Sequence, residues 1–202
     1  MLPTFLTTEN MENPNFDFLK SKFNVSEETF LILKNLSTRK RFKAGDETIK
    51  QGGMSSKVYF LTSGLMRSVR VSEAGKEYTK NIYSPIGFVG PFSSILTKKP
   101  SLLTYEALTD CKGFEIDFKD FFSLTTTIIE ISNLYNRVLE YLFLMYEKKQ
   151  FESLSLNATQ RYLLLKSRIP DIDKQIAQYQ IASYLNITAV QLSRIRKEMK
   201  QN

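Results

Sequence analysis

Two periodicities divide this chain. From residue 58 to residue 117 apolar and polar positions alternate in short runs, whereas on either side they recur every three or four residues. The alternating runs at 58–61, 65–71, 77–83, 105–108 and 113–117 predict strands. All eight glycines lie between Gly45 and Gly113, and Gly53, Gly64, Gly75 and Gly87 recur at intervals of eleven or twelve residues. Strands at that spacing, bounded by turn residues, indicate an antiparallel barrel or sandwich, with a hairpin turn at residues 72–76.

The flanks read as helices. Residues 26–36 open with Ser26 as N-cap and Glu27 and Glu28 in the first turn. After the strands, Leu124, Ile128, Ile131, Tyr135, Val138, Leu142 and Met145 follow steps of four and three, an a/d seam of about three heptads. Such a seam predicts a helix that pairs with its twin, and Ile131, Tyr135, Val138, Leu142 and Met145 are its candidate dimer-interface residues. The same pattern fits a core helix lying against its own barrel. Leu134, Leu139, Tyr141, Phe143, Leu144 and Tyr146 add apolar surface on other faces, so one helix can touch both barrel and second subunit. Residues 157–160 resemble a capping box, and the helix they open runs until Ile169 and Pro170 stop it.

The segment 178–197 predicts two short helices packed at a steep angle through Ile181, Leu185, Ile187, Leu192 and Ile195. Ala182 falls at the close approach. Asn186 accepts the left-handed conformation the turn needs, and Thr188 is a good N-cap for a second helix of about nine or ten residues. That helix leaves Gln191, Ser193, Arg194 and Lys197 outside the packing seam, with side chains suited to base edges and phosphates. This is the pattern of a helix-turn-helix in a DNA major groove; a solvated amphipathic helix pair is the bland alternative.

Composition narrows the function. The formal charge of +7 favours an anionic partner, and the tail shares in it through Arg194, Arg196, Lys197 and Lys200 against Glu198. No apolar run approaches the ~18 residues of a membrane span. Residues 1–9 show no positive n-region or cleavage-like segment, so no signal peptide is expected, a cytoplasmic location is, and Met11 is an alternative start. The chain has no histidine and one cysteine, Cys111. That removes zinc and iron–sulfur sites, haem ligation by histidine, the metal centre of a cupin-type enzyme and every Ser-His or Cys-His nucleophile. No cofactor, no metal and no enzymatic activity are expected.

Strand-bounding glycines, a long apolar helix and a terminal helix-turn-helix, in that order, resemble the Crp/Fnr family of bacterial transcription regulators. Residues 45–52 and 58–64 are similar to the opening of that family's cyclic-nucleotide-binding fold, and residues 181–188 and 192–197 to its recognition module. The resemblance covers residues 26–200 and implies an α+β protein. It places an effector-type β-roll (a jelly-roll-like double-stranded β-helix) with its N-terminal helix at residues 1–123. A dimerisation helix follows at 124–153 and a helix-turn-helix DNA-binding domain at 154–202. The implied partners are double-stranded DNA carrying a palindromic operator, a second copy of the chain, RNA polymerase and a small-molecule effector of unknown identity.

Departures from the family pattern sharpen the reading. Its cyclic-nucleotide binders hold the phosphate with an Arg-Ser or Arg-Thr pair and the ribose with a Glu. Here Phe88 stands where the Glu would be, and Ser101 and Leu102 where the pair would be. Without a guanidinium a buried cyclic phosphate would stay unpaired, so the resemblance implies no classical response to cyclic AMP. The effector pocket, occluded or apolar, is assigned to Phe88, Val89, Ser101, Leu102 and Tyr141. In the recognition helix Ala189 and Val190 replace an Arg-Glu pair, while Ser193 and Arg194 match. Arg194 is therefore the expected base reader, with Gln191 toward adenine or phosphate, and Thr188 and Lys197 on the backbone. Five residues after Lys197 are too few for a winged-helix hairpin.

Overall fold

The computed structural model describes residues 14–201, so residues 1–10 and Met11 lie outside it. Helices α1 (Pro14–Phe23) and α2 (Glu27–Leu36) come first. The Ser26 hydroxyl accepts from the Thr29 amide at 3.2 Å, the N-cap that the sequence predicts. Then come β1 (Thr38–Phe42), β2 (Glu47–Ile49), β3 (Lys57–Ser63), β4 (Met66–Val71), β5 (Glu77–Tyr83) and β6 (Gly87–Val89). A short helix, α3 (Phe92–Thr97), precedes β7 (Thr104–Ala107) and β8 (Cys111–Asp117).

These strands form two antiparallel sheets, β1-β8-β3-β6 and β2-β7-β4-β5. Alternation sends Ile49, Tyr59, Leu61, Met66, Val89 and Tyr105 into the roll's interior. Gly64 has φ +84°, and a Cβ there would meet the Cys111 sulfur at 2.6 Å, so only glycine lets the chain turn so close to β8. The five strands expected from alternation are present. β1, β2 and β6 were not expected, and β1 shows why. Its Thr-Arg-Lys-Arg-Phe sequence has no apolar alternation, because it is a sheet edge held by pairing with β8 from Thr38↔Glu115 to Phe42↔Cys111.

Beyond the roll, α4 (Phe118–Leu124) and α5 (Ile129–Ser155) are separate helices. Three threonines part them: the hydroxyls of Thr125, Thr126 and Thr127 donate to the carbonyls of Phe122, Ser123 and Leu124 at 2.7, 2.8 and 3.3 Å. Side chains that bond the preceding turn compete with the helix. Leu124 and Ile128 consequently stand outside α5, and the expected seam is broken at its start.

The chain continues through α6 (Ala158–Arg168), α7 (Ile172–Gln175), α8 (Gln178–Leu185) and α9 (Ala189–Gln201). Asn157 and Gln160 cap α6 reciprocally at 3.0 Å each, as the sequence predicts. These helices close around Tyr162, Leu165, Ile172, Ile181, Leu185 and Leu192. The same core takes in Leu65, Ile82 and Leu108 from the roll. On the exposed edge of β5, Ser183 of α8 accepts from the Thr79 amide (2.9 Å) and donates to the Glu77 carbonyl (3.1 Å). An edge strand's unpaired backbone thus becomes a docking rail for the C-terminal helices.

Candidate functional site

The α8–α9 junction is built as its residues dictate. Asn186 adopts φ 55°, ψ 44°, and the Ile187 amide reaches back to the Ala182 carbonyl at 3.0 Å, closing α8 with a left-handed C-terminal turn. Ala182 is buried at the helix crossing, and Gln178 Nε2 donates to the Ala189 carbonyl at 2.8 Å, tying the two helix starts together. Thr188 and Gln191 then cap α9 reciprocally. The Gln191 amide donates to Thr188 Oγ1 at 3.1 Å, and the Thr188 amide donates to Gln191 Oε1 at 2.9 Å. The Gln191 carbonyl oxygen is therefore occupied, and only its amide nitrogen is left to face a ligand.

Leu192 and Ile195 are buried, while Thr188, Ala189, Val190, Gln191, Ser193, Arg194 and Lys197 are all exposed. At 100° per residue Ser193, Arg194 and Lys197 surround Val190 on one side of α9. Arg196 belongs to the other side. Its guanidinium donates to the Tyr162 hydroxyl (3.0 Å) and pairs with Asp173, which also accepts from Tyr162 at 2.6 Å. Burial by itself would raise the Asp173 pKa, but the Tyr162 hydroxyl and the two cations Arg196 and Lys166 outweigh it and hold it below the usual range.

The five expected effector-pocket residues do not converge. Phe88 lies on the helix-facing side of its sheet, 5.3 Å from the Phe60 ring and 5.8 Å from that of Phe23. Val89, the next strand residue, points into the roll and is fully buried. Ser101 is buried with its hydroxyl donated to the Leu103 carbonyl at 2.7 Å, whereas Leu102 is 71% exposed. Tyr141 packs edge-on to Phe23 at 5.5 Å. The roll's interior is filled by side chains such as Tyr83 and Tyr105, stacked at 6.3 Å, and burial pushes the Tyr83 hydroxyl up to about 12. The buried Arg67 is held by Glu77 and Glu106, each at 2.6 Å.

Of the expected dimer-interface residues, Ile131 is fully buried and Leu142 is buried within the protomer. Tyr135, Val138 and Met145 are half-buried, Tyr135 against the Phe118, Phe121 and Phe122 rings and Val138 in the aromatic cluster beneath the helix. The a/d seam is the side of α5 that covers the chain's own roll, so Ile131 and Leu142 cannot meet a partner. The outward side carries Phe143, Leu144, Phe151 and Leu154, with Phe143 68% and Leu154 80% exposed, while Leu139 lies at its border with the roll-facing side. A feature not expected from sequence is a cavity of about 330 Å³ beneath α5, lined by Phe30, Phe60, Phe88, Phe114 and Val138 among others.

Comparison with known proteins places this architecture. Residues 39–127 match the cyclic nucleotide-binding domain family. No curated protein matches the chain. Among solved structures, FixK2 from Bradyrhizobium japonicum superposes with TM-score 0.66 at 17% identity, covering 82% of this chain and 85% of that one. A protein assigned to the Crp/Fnr family of transcriptional regulators from Eubacterium rectale gives 0.67 at 14% identity, over 93% and 87%. The c-di-GMP responsive global regulator CLP of Xanthomonas campestris gives 0.64 at 15% identity, over 87% and 92%. At these identities the likeness establishes the fold: a mixed helix and sheet chain with a cyclic-nucleotide-binding-type roll, arranged as in Crp/Fnr-like regulators.

Proposed function

We propose that this chain, Crp/Fnr-like in fold and carrying a cyclic nucleotide-binding domain, is a homodimeric, sequence-specific DNA-binding transcription regulator. The observation that carries the reading is α9. Its inner side is locked to α6, α7 and α8, and its outer side offers Arg194, Lys197 and Ser193 around an exposed Val190. In this reading α8 and α9 are a helix-turn-helix. The Arg194 fork reads guanine O6 and N7, Val190 meets a thymine methyl, and Thr188, Ala189, Ser193, Lys197 and the Gln191 amide lie along the backbone. The functional units are residues 1–123 for the roll, 124–153 for dimerisation and 154–202 for DNA.

The dimer face is the outward side of α5, around Phe143, Leu144, Phe151 and Leu154, in place of the seam read from sequence. Large apolar side chains left exposed along one long helix, here interspersed with Glu140 and Glu147, are the ordinary mark of a partner surface. Cyclic AMP is not the effector in this reading. Phe88 is turned away from the roll interior, Ser101 is committed to its own backbone, and Arg67 is committed to two carboxylates.

The test is fluorescence anisotropy on duplexes selected from a random pool, across a salt series. Arg194→Ala should weaken the selected site by ~1–3 kcal/mol and flatten preference at one base position per half-site. Lys197→Ala should weaken all duplexes about equally and reduce the salt slope by roughly one. Binding with no salt dependence, or no duplex enriched, would leave the roll as the working part and sink the DNA-reading assignment.

A further inference from the structure

The cavity beneath α5 has a directional chemistry. Its floor is set by strand register: Arg39 pairs with Phe114, Phe114 with Phe60 and Phe60 with Phe88. Directly paired residues in adjacent strands share a face, so these four form one row across the sheet β1-β8-β3-β6, three phenylalanines ending in a guanidinium on the edge strand. Val58 and Ile116 make the next row of the floor. Leu19, Leu33, Phe121, Leu134 and Val138 supply walls from α1, α2, α4 and α5. Among the described residues that line the space the charged side chains are Arg39 and Lys34, the other polar ones are Asn15, Ser37, Tyr59 and Tyr135, and none is acidic.

Arg39 is exposed and takes part in none of the ion pairs formed by the described residues, whereas its neighbour Lys40 pairs with Glu115 at 3.6 Å. At about 330 Å³ the volume lies at the small end of ligand sites, ~300–1,000 Å³. Lining rings are tilted to one another, 53° between Phe60 and Phe88 and 43° between Phe118 and Phe121, so the walls are uneven. A flexible alkyl chain can follow such uneven apolar walls. An anionic end then meets the fork at Arg39, which matches a carboxylate through two parallel hydrogen bonds.

We propose that this cavity binds a medium-chain aliphatic carboxylate, its alkyl body on the Phe114–Phe60–Phe88 floor and its carboxylate at Arg39. The proposal concerns binding alone and stands whether or not α9 reads DNA. The experiment is calorimetric titration of the full chain with decanoate, 1-decanol and decyltrimethylammonium, repeated on Arg39→Glu and Leu33→Trp. Decanoate should bind saturably at one site per chain and more tightly than the alcohol, with the cation weakest. Arg39→Glu, at an exposed edge position, should weaken decanoate about tenfold or more and narrow the gap between acid and alcohol. Leu33→Trp, which fills the space, should abolish binding while circular dichroism stays native; if it does not fold, the Arg39 variant and the headgroup series decide. Equal binding of acid and alcohol, or an Arg39→Glu protein with undiminished affinity, overturns the carboxylate assignment. No saturable binding of decanoate overturns the site itself and leaves the groove to another occupant, such as a second copy of the chain.

Discussion

α5 and α9 are both helices packed on one side only, and what they leave outside differs in kind. α5 covers the roll with Ile131, Leu134 and Leu142 and turns Phe143, Leu144, Phe151 and Leu154 outward. α9 covers its neighbours with Leu192 and Ile195 and turns Ser193, Arg194 and Lys197 outward. An apolar exposed side lowers its free energy by meeting another apolar surface, which is the role proposed above for α5. An exposed side of cations and hydroxyls keeps its water until a polyanion displaces it, which is the partner proposed above for α9. The packed sides of the two helices look alike. Function is written in the sides that folding leaves unused.

That contrast is most directly broken at α5. Phe143→Asp should leave the protomer folded and raise the dimer dissociation constant about thirtyfold or more, since central aromatic residues contribute ~2 kcal/mol or above at such interfaces. Val138→Glu should do something different: it places a carboxylate against the aromatic cluster of the chain's own roll and lowers thermal stability first. Sedimentation and thermal melting of both variants separate the two sides. A Phe143→Asp protein that remains dimeric at unchanged affinity removes the outward strip from the interface.

Much of the fold was legible because glycine spacing and alternation act locally. The C-terminal turn was legible for the same reason, since Ala182, Asn186 and Thr188 each meet a backbone requirement of their own position. Which side of α5 is left outside was not. A 4-3 repeat reports that one side of a helix is buried, and burial against a roll or against a twin gives the same repeat. Phe143, Phe151 and Leu154 are visible in the sequence, but the better-ordered seam belongs to the roll. The effector pocket failed on a point the sequence does contain. Phe88 and Val89 are adjacent in a strand and must point to opposite sides of the sheet. Arg39 was hidden because an edge strand held by backbone pairing needs no apolar pattern, and its row with Phe114 exists only through register. Gln191 was offered to the DNA although Thr188-x-x-Gln191 is itself a capping-box spacing.

A smaller effect sharpens the contrast within α9. Arg196 and Arg194 are two residues apart and face opposite ways. Arg196→Ala removes the guanidinium from Tyr162 and Asp173 and should lower stability by ~1–3 kcal/mol, the range for hydrogen bonds to charged groups. Arg194→Ala should change stability by less than ~0.5 kcal/mol, as expected for an exposed side chain without such partners. Urea denaturation of both proteins makes the comparison. Equal stability losses would mean that the outer side of α9 is held by folding contacts and is not free to read DNA.

The smallest effect lies where the two helical systems meet. Lys149 of α5 donates to the Lys80 carbonyl and to Asn81 Oδ1 (2.6 Å) on β5, and its ammonium sits 4.5 Å from the centre of the Tyr184 ring on α8. Burial, then the nearby charge of Lys80, pushes its pKa down from 10.5 to about 8. Between those values the unfolded chain binds the proton and the folded chain does not, so this group adds stability as pH rises through the window. That contribution is complete above about 10.5 and is lost as pH falls through about 8. Lys149→Met removes the titration and keeps an apolar stem against Tyr184. The difference in urea stability between native protein and variant should therefore grow in favour of the native chain from pH 7 to pH 10. Tyr83, held up to about 12, is present in both proteins and cancels in the difference. A difference that stays flat over that range would place Lys149 in water and loosen the joint between roll, α5 and α8.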